Sequence, residues 1–214
     1  MSYSFIEQSK RDGSLVLFQL YLRGNQNFLD LSGQGNDAAA ISNAWWGGGG
    51  VQFAPVNGYI QVADAAELQL TRGSFCVLGA WDRLEQTTTR IFAKRDAGGT
   101  NYELQIDAVP SLRFFDGVNS RQIAVDYRGS RSIAGTFGDG LNWQLYLDGL
   151  SAGLSGNASA VSVDDADLYI GNNYLAASAV ASPVWAVCLF NDILTATEMA
   201  VCHGELMDLA GGSH

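Results

Sequence analysis

The feature that most constrains the fold is a series of short β-rich runs that recur about every ten residues, separated by Gly, Asn and Asp turns. In Trp143–Leu147, residues 143, 145 and 147 are apolar and share one face of an extended strand. Asp148-Gly149 follows at once, and this dipeptide suits the positive φ angles of a tight hairpin. The pattern predicts an all-β domain, a two-sheet antiparallel β-sandwich. The predicted strands lie near Leu15–Tyr21, Val51–Phe53, Tyr59–Val62, Ser74–Trp81, Thr89–Lys94, Tyr102–Ile106, Ser111–Phe115, Gln122–Asp126, Ser132–Thr136, Trp143–Leu147, Asp167–Gly171 and Val184–Phe190.

A single short helix is predicted, near the C-terminal end of the sequence. Thr195 and Glu198 have the spacing of a capping box, in which each side chain accepts a hydrogen bond from the other residue's backbone N–H. Gly211 and Gly212 mark the end of the helix. Its predicted buried face consists of Met199, Cys202, Leu206 and Leu209.

The domain organisation follows from these elements. Residues 1–13 are interpreted as a polar N-terminal arm, residues 14–194 as the β-sandwich, and residues 195–214 as the C-terminal helix and tail. Trp45–Gly50, two tryptophans followed by four glycines, is interpreted as a flexible break. It lacks the Lys-Ser/Thr pair of a phosphate-binding loop, so no nucleotide site is predicted there.

The charge balance limits the partners of the protein. The 214-residue chain has 22 acidic and 12 basic residues, a formal net charge of −10, which repels the phosphate backbone of nucleic acids. No run approaches the roughly 18 apolar residues of a membrane helix, and the first residues lack the apolar core and cleavage site of a signal peptide. We therefore expect no nucleic acid or membrane partner and, unless the protein belongs to a virion, a cytoplasmic location. In that compartment Cys76, Cys188 and Cys202 are expected to be thiols.

Several short motifs occur in the order found in one family. Leu29–Ala38 matches a D-x-S-G-x-G-N-x-G segment, with Ala38 in place of the last glycine. Phe75–Trp81, Leu145–Gly149 and Leu168–Asn172 match strands that follow it in the same order. Together these motifs resemble the laminin-G-like domains of the concanavalin A-like lectin/glucanase superfamily. The resemblance implies a concanavalin-like jelly roll of two antiparallel sheets, one of them concave.

The Leu29–Ala38 segment is also the best candidate for a metal site. Asp30, Asn36 and Asp37 could supply oxygen ligands to Ca²⁺, which takes six to eight of them. The alternative is that Asp30 and Asn36 bind the amides of their own loop, as such residues do in turns. The resemblance favours calcium, whereas Trp185 and Ala186 replace the two acids that the family usually carries in its last strand.

A second acidic cluster, Asp164, Asp165 and Asp167, precedes the strand at Leu168. It lacks the spaced glycine and closing glutamate of an EF-hand loop. The sequence therefore predicts a solvated turn here.

The sequence does not predict an enzyme. Glycoside hydrolysis needs two positioned carboxylates, and the compact E-x-D-x-x-E strand of glucan-cleaving relatives is absent. Glu103 and Asp107 come closest, on one strand face with Gln105 between them, but ordinary amphipathic alternation explains their spacing. His203 and His214, the two histidines, have no partners that form a catalytic set.

Tryptophans are the candidate carbohydrate-binding residues. Trp81 and Trp143 lie within apolar strands and are expected in the core. Trp45 and Trp46, beside the glycine run, are predicted to form an exposed aromatic patch that could stack on sugars.

Two functions are predicted, from different classes. The first is a structural component of a virion surface, such as a capsid decoration or cement protein of a tailed phage, which assembles with copies of itself or with capsid proteins. The second is a carbohydrate-binding, lectin-like module with glycans as partners. Both are non-catalytic, and Ca²⁺ is the one cofactor considered.

Overall fold

The chain forms a β-sandwich with α-helices against one sheet. The computed structural model describes residues 4–21, 28–47, 49–81, 88–96, 100–107, 110–115, 120–138, 143–155, 165–172 and 179–211. The elements in these ranges are α1 Phe5–Asp12, β1 Leu15–Leu20, β2 Ala38–Ser42, β3 Ala44–Gly47, β4 Gly50–Phe53, β5 Tyr59–Val62, a 3₁₀ turn Ala66–Leu68, β6 Gly73–Gly79, β7 Thr89–Arg95, β8 Thr100–Ile106, β9 Ser111–Phe115, β10 Ser120–Ala124, β11 Ser132–Phe137, β12 Trp143–Leu147, β13 Leu150–Ser155, β14 Leu168–Ile170, β15 Val184–Phe190 and α2 Ala196–Leu209.

The described strands form two antiparallel sheets, so the predicted sandwich is confirmed. Sheet A has the order β13-β12-β11-β6-β15-β4-β3, with β1 also paired to β15. Sheet B has the order β10-β9-β8-β7-β14-β5-β2. β10 and β13, the first strands in these two orders, lie against each other. The opposite lateral side of the sandwich is therefore formed by β2 of sheet B and β3 of sheet A.

An aromatic core fills the space between the sheets. Phe75 and Phe114 stack with ring centroids 5.6 Å apart, and Phe114 stacks on Phe137 at 5.0 Å. Trp81 and Trp143 are fully buried, which confirms their expected place in the core. Large aromatic side chains bury about 150–250 Å² each, so this layer supplies much of the apolar burial that stabilises the fold.

The predicted flexible break at Trp45–Gly50 is wrong. Ala44–Gly47 is strand β3, and it pairs with β4 from Ala44↔Phe53 to Gly47↔Gly50. Gly49 has a φ of +86°, a conformation that glycine adopts without steric cost. The β3–β4 connection is therefore a tight hairpin. The sequence predicted a flexible break because runs of glycine are also typical of linkers.

Helix α2 follows the prediction closely at its N-terminus. The Thr195–Glu198 capping box is present, with the Glu198 N–H donating to Thr195 and the Thr195 N–H donating to Glu198. Cys202 and Leu206 are buried as predicted, but Leu209 is 49% exposed and Met207 is buried instead. No helix in the described ranges is long and apolar enough to cross a membrane.

The segment interpreted as an N-terminal arm contains an unpredicted helix, α1. Glu205 of α2 accepts hydrogen bonds from the backbone N–H groups of Phe5 and Ile6, at 2.6 and 2.8 Å. Ser4 also accepts a hydrogen bond from the Glu7 N–H. The Ser4–Glu7 spacing is the same capping signal that predicted α2, so the sequence did carry a sign of this helix.

All three cysteines are free and buried between sheet A and the helices. Cys76 lies directly opposite Cys188 on the neighbouring strand, and Cys202 approaches them from α2. Burial raises the pKa of the Cys188 thiol, and a hydrogen bond with Cys76 together with burial raises the pKa of Cys202. The thiols therefore behave as small apolar groups that fill this layer.

Candidate functional site

The predicted calcium loop is built around one carboxylate that already has four donors. Asp30 accepts hydrogen bonds from the backbone N–H groups of Phe18, Ser32 and Asn36, each at 2.9 Å, and from the Ser32 hydroxyl at 2.6 Å. The Asn36 side chain donates to the backbone oxygen of Val16, at 2.7 Å. Asp37 accepts from the Asp30 N–H. This is the hydrogen-bonded loop of the alternative interpretation, and calcium binding here stays a prediction.

The second acidic cluster lies beside a buried ion pair. Asp164 lies outside the described residues, and Asp165 is exposed. Asp167 accepts hydrogen bonds from Gln61 and from the backbone N–H of Asp64. Asp64 in turn pairs with Lys94, whose side chain is fully buried. Within the described ranges, no group of three or more His, Cys, Asp or Glu side chains is arranged to hold a metal ion.

The outer face of sheet B carries buried acids that are paired with arginines. Glu103 is fully buried and bonds Arg90 at 2.8 Å and Arg95 at 3.2 Å, while Gln105 donates to the same carboxylate. Asp107 is paired with Arg113 at 3.2 Å. Glu103 and Asp107 thus share a face with Gln105, as the sequence predicts, but each is engaged by arginine.

Asp107 is further held by two hydroxyl groups. Thr88 and Ser111 donate to its two carboxylate oxygens, at 3.0 and 3.1 Å. Gln122 of the edge strand β10 donates to Ser111 and extends the network. The donors to Asp107 come from β9 and from the segment before β7, and Gln122 extends the network to β10, so the network connects side chains across one half of sheet B.

The two candidate sugar-binding tryptophans lie on opposite faces of β3. Trp46 points between the sheets, where its ring lies 5.4 Å from that of Phe28. Trp45 points outward and is 48% exposed. Successive residues of a strand face opposite sides, so the prediction that Trp45 and Trp46 form one exposed patch is wrong.

Trp45 instead shares its surface with Trp185, which the sequence did not predict as a sugar-binding residue. Trp45 lies opposite Gln52 on β4, and Gly47 lies opposite Gly50 in the next row. Trp185, on β15, rests against Gly50: a Cβ there would come within 2.4 Å of the indole ring. We call Trp45, Gly47, Gly50, Gln52 and Trp185 the tryptophan corner.

The tryptophan corner has the exposed Trp45 on one side and the half-buried Trp185 on the other. Trp45 and Trp185 stand on strands separated by β4 and are offset by two residues along them, so their backbones lie roughly 12 Å apart. Arg131 lies over the Trp185 ring, 5.7 Å from its centroid. Trp185 occupies a position where the family usually has an acid, and this substitution was the signal that could have identified it.

His203 contacts a hydroxyl group of sheet A. The Nδ1 of His203 lies 2.9 Å from the Ser132 hydroxyl, at the junction of α2 and sheet A. His214 lies outside the described residues. His203 thus connects the helix to the sheet.

Comparison with known families identifies the fold. A laminin G-type family model, described as the concanavalin A-like lectin/glucanases superfamily, matches residues 54–200. This match spans more than half of the sequence and confirms the resemblance carried by the motifs. The chain belongs to the concanavalin A-like lectin/glucanase superfamily.

Solved structures show the same fold within longer proteins. Trypanosoma rangeli sialidase superposes with a TM-score of 0.70 at 20% identity, covering 94% of this chain and 34% of the sialidase. The binding domain of botulinum neurotoxin serotype D gives a TM-score of 0.70 at 11% identity, covering 95% of this chain and 53% of that domain. The chain thus spans about a third and about half of these proteins. No curated protein matches it.

Proposed function

We propose that this chain is a non-catalytic carbohydrate-binding domain that binds sugars at the tryptophan corner. The observation that carries the proposal is the exposed Trp45 indole beside the Gln52 amide, on a surface with glycine backbone next to it. Membership of a superfamily named for its lectins supports the same function.

The chemistry of the tryptophan corner suits a neutral sugar. An indole offers a flat apolar surface for the C–H face of a pyranose ring, and an amide such as Gln52 can both donate to and accept from hydroxyl groups. The Gln52 and Trp185 side chains pack over Gly47 and Gly50, in the space that a Cβ would otherwise take, so the corner presents these two side chains together with the Trp45 indole. No Asp, Glu, Lys, Arg or His occurs in residues 38–63, so β3 and β4 add no charged side chain to the corner, and Arg131, the cation beside it, lies over the Trp185 ring.

The absence of catalysis is part of the proposal. Glycoside hydrolysis uses one carboxyl group as an acid and a second as a base or nucleophile. Glu103 is held between two arginines, and Asp107 is bound by an arginine and two hydroxyl groups. Neither carboxylate has an oxygen that is clear of these donors, which supports a role in holding the face of sheet B together.

Titration of sugars into wild-type protein and into Trp45→Ala tests the proposal. A panel of neutral and acidic oligosaccharides should reveal a neutral ligand whose binding quenches tryptophan fluorescence. We expect Trp45→Ala to weaken that ligand at least tenfold, about 1.4 kcal/mol, and Trp45→Phe to restore part of the affinity because it keeps an aromatic face.

The control is Leu150→Ala, which removes an exposed apolar side chain from β13; Leu150 is 73% exposed and Trp45 is 48% exposed. It should leave the affinity unchanged. The proposal fails if no sugar in the panel binds, or if the Trp45→Ala and Leu150→Ala proteins bind equally well.

A role as a virion surface component of a tailed phage stays a prediction. It requires contacts with copies of the chain or with capsid proteins. In the structure α1 contacts α2 of the same chain, through Glu205 and the buried side chain of Ile6. The tryptophan corner makes carbohydrate binding the better supported of the two functions.

A further inference from the structure

A groove lies where the two helices meet strand β1. Its volume is about 520 Å³, which is within the range of roughly 300–1,000 Å³ that is typical of small-molecule sites. None of its lining residues belongs to the tryptophan corner. Its apolar lining comes from α1, β1, the segment between β1 and β2, and α2, and consists of Ile6, Phe18, Leu20, Leu31 and Leu209.

The groove leaves apolar side chains partly in contact with water. Ile6 and Phe18 are buried, whereas Leu20 and Leu31 are half-buried. Leu209 is 49% exposed, although its spacing on the helix predicted that it would be buried. The protein therefore presents more apolar surface at this groove than it covers, and an apolar ligand would remove that surface from water.

The charged side chains along the groove are mostly negative. They are three acids, Glu7, Glu205 and Asp208, and one base, Lys10. Lys10 is paired with Glu7 of the same helix, at 3.0 Å. Glu205 is bound to two N–H groups of α1. Asp208 is exposed, and its carboxylate has no ion pair or hydrogen bond with any residue that the structure describes. A cationic group in the groove would therefore supply Asp208 with a partner.

We infer that this groove binds an aliphatic amine, with the alkyl tail against Leu20, Leu31 and Leu209 and the ammonium group next to Asp208. The charges select this class of ligand. A carboxylate head group, as in a fatty acid, would meet three acids and a lysine that is already paired. An uncharged tail would gain burial but would leave Asp208 without a partner.

The tail and the head group have different parts in this binding. An exposed pair of a carboxylate and an ammonium group contributes little by itself, whereas burial of an alkyl tail strengthens binding with every CH₂ removed from water. The tail therefore supplies most of the affinity, and the head group supplies the preference for a cation. This inference does not rest on the proposed sugar binding.

Calorimetric titration of the full chain with octylammonium tests the inference. Octanol and octanoate have tails of the same length, and each probe is kept below its micelle concentration. We expect octylammonium to bind more tightly than octanol, and octanoate to bind most weakly. From butylammonium to hexylammonium to octylammonium, the affinity should rise by up to about fourfold for each added CH₂. The dependence on length separates binding in the groove from general attraction of cations to a protein of charge −10.

Substitutions at two exposed positions separate the contribution of the head group from that of the tail. Asp208→Asn should weaken the binding of octylammonium about threefold and leave octanol unchanged, because it removes only a charge. Leu209→Ala should weaken both probes, because it removes a contact of the tail. Asp165→Asn is the matched control, since Asp165 is an exposed acid that does not line the groove, and it should bind both probes like the wild type.

The inference is overturned if octylammonium does not bind, if octanoate binds as tightly, or if the affinity does not depend on the length of the tail. Equal weakening by Asp208→Asn and Asp165→Asn would also overturn it. Sedimentation of the protein without ligand tests the other occupant: a dimer that Leu209→Ala dissociates would mean that a second copy fills the groove. Trp45→Ala should bind octylammonium like the wild type, so the outcome here is distinct from that for sugar binding.

Discussion

The outer faces of the two sheets are covered in opposite ways. On sheet A, α1 and α2 bury an apolar layer that contains the three thiols. On sheet B, arginines of β7 and β9 are paired with Glu103 of β8 and with Asp107, which follows β8. An apolar face needs another element to remove it from water, whereas a polar face can be completed by hydrogen bonds among its own side chains. The first face therefore stabilises the fold through burial. The second stabilises it through ion pairs, and removal of one partner lowers the stability because it leaves a buried charge unpaired.

The largest effect is expected on the apolar face, from Leu206→Ala. Leu206 is fully buried between α2 and sheet A, and truncating such a side chain costs about 2–5 kcal/mol through lost burial and the cavity left behind. The free energy of unfolding, measured with urea, should fall by this amount. Leu209→Ala is the matched control, because Leu209 lies on the same helix but is 49% exposed. Equal losses in the two variants would show that α2 does not bury this face.

A smaller effect is expected on the polar face, from Glu103→Gln. The change removes the negative charge that Arg90 and Arg95 share. Arg90 and Arg95 are 18% and 29% exposed at their side chains, so water relieves part of the cost, and we expect a loss of about 2 kcal/mol. Asp126→Asn, which breaks an exposed pair with Arg128, should leave the urea midpoint unchanged. A Glu103→Gln protein as stable as wild type would mean that the pairing contributes nothing net.

The smallest effect is expected from Glu205→Gln, which alters the polar contact between the two helices. The carboxylate caps the first N–H groups of α1 and faces the positive end of its dipole. Loss of a cap costs roughly 1 kcal/mol, and the effect should be local. Hydrogen exchange of the amides in residues 5–12 should quicken while the strands of sheet A stay protected. Asp208→Asn, an exposed acid on the same helix, should change neither; faster exchange in both variants would argue against a capping role.

Several elements could be predicted because their signals are local. Trp143–Leu147 alternates and ends in Asp148-Gly149, and the hairpin there has φ angles of +50° and +73°. The capping box at Thr195 likewise lies within four consecutive residues. By contrast, β2 is a run of alanines with weak strand propensity, and it forms a strand because it pairs with β5.

The sequence carries capping signals for helix α1, but these signals alone do not make the segment helical. Ser4, Glu7 and Gly13 mark its ends, but a helix of eight residues is marginal in water by itself. Its N-terminus is held by Glu205, which is 200 residues away from Phe5 in sequence. Only the docking of the chain's two ends on the same sheet made this segment helical.

By itself, the sequence determined the class of fold, the places where most strands run and the caps of its last helix, because alternation, turn dipeptides and capping act between neighbouring residues. The tertiary structure alone decided which surfaces these elements share. It placed Trp45 and Trp46 on opposite faces of β3, and it placed Trp45 and Trp185 on the same face of sheet A, on either side of β4. It also engaged the Glu103 carboxylate with arginines and left β2 and β3 as the open side of the sandwich. Each of these outcomes depends on strand order and register, which link residues distant in sequence and are fixed only when the two sheets close on their common core.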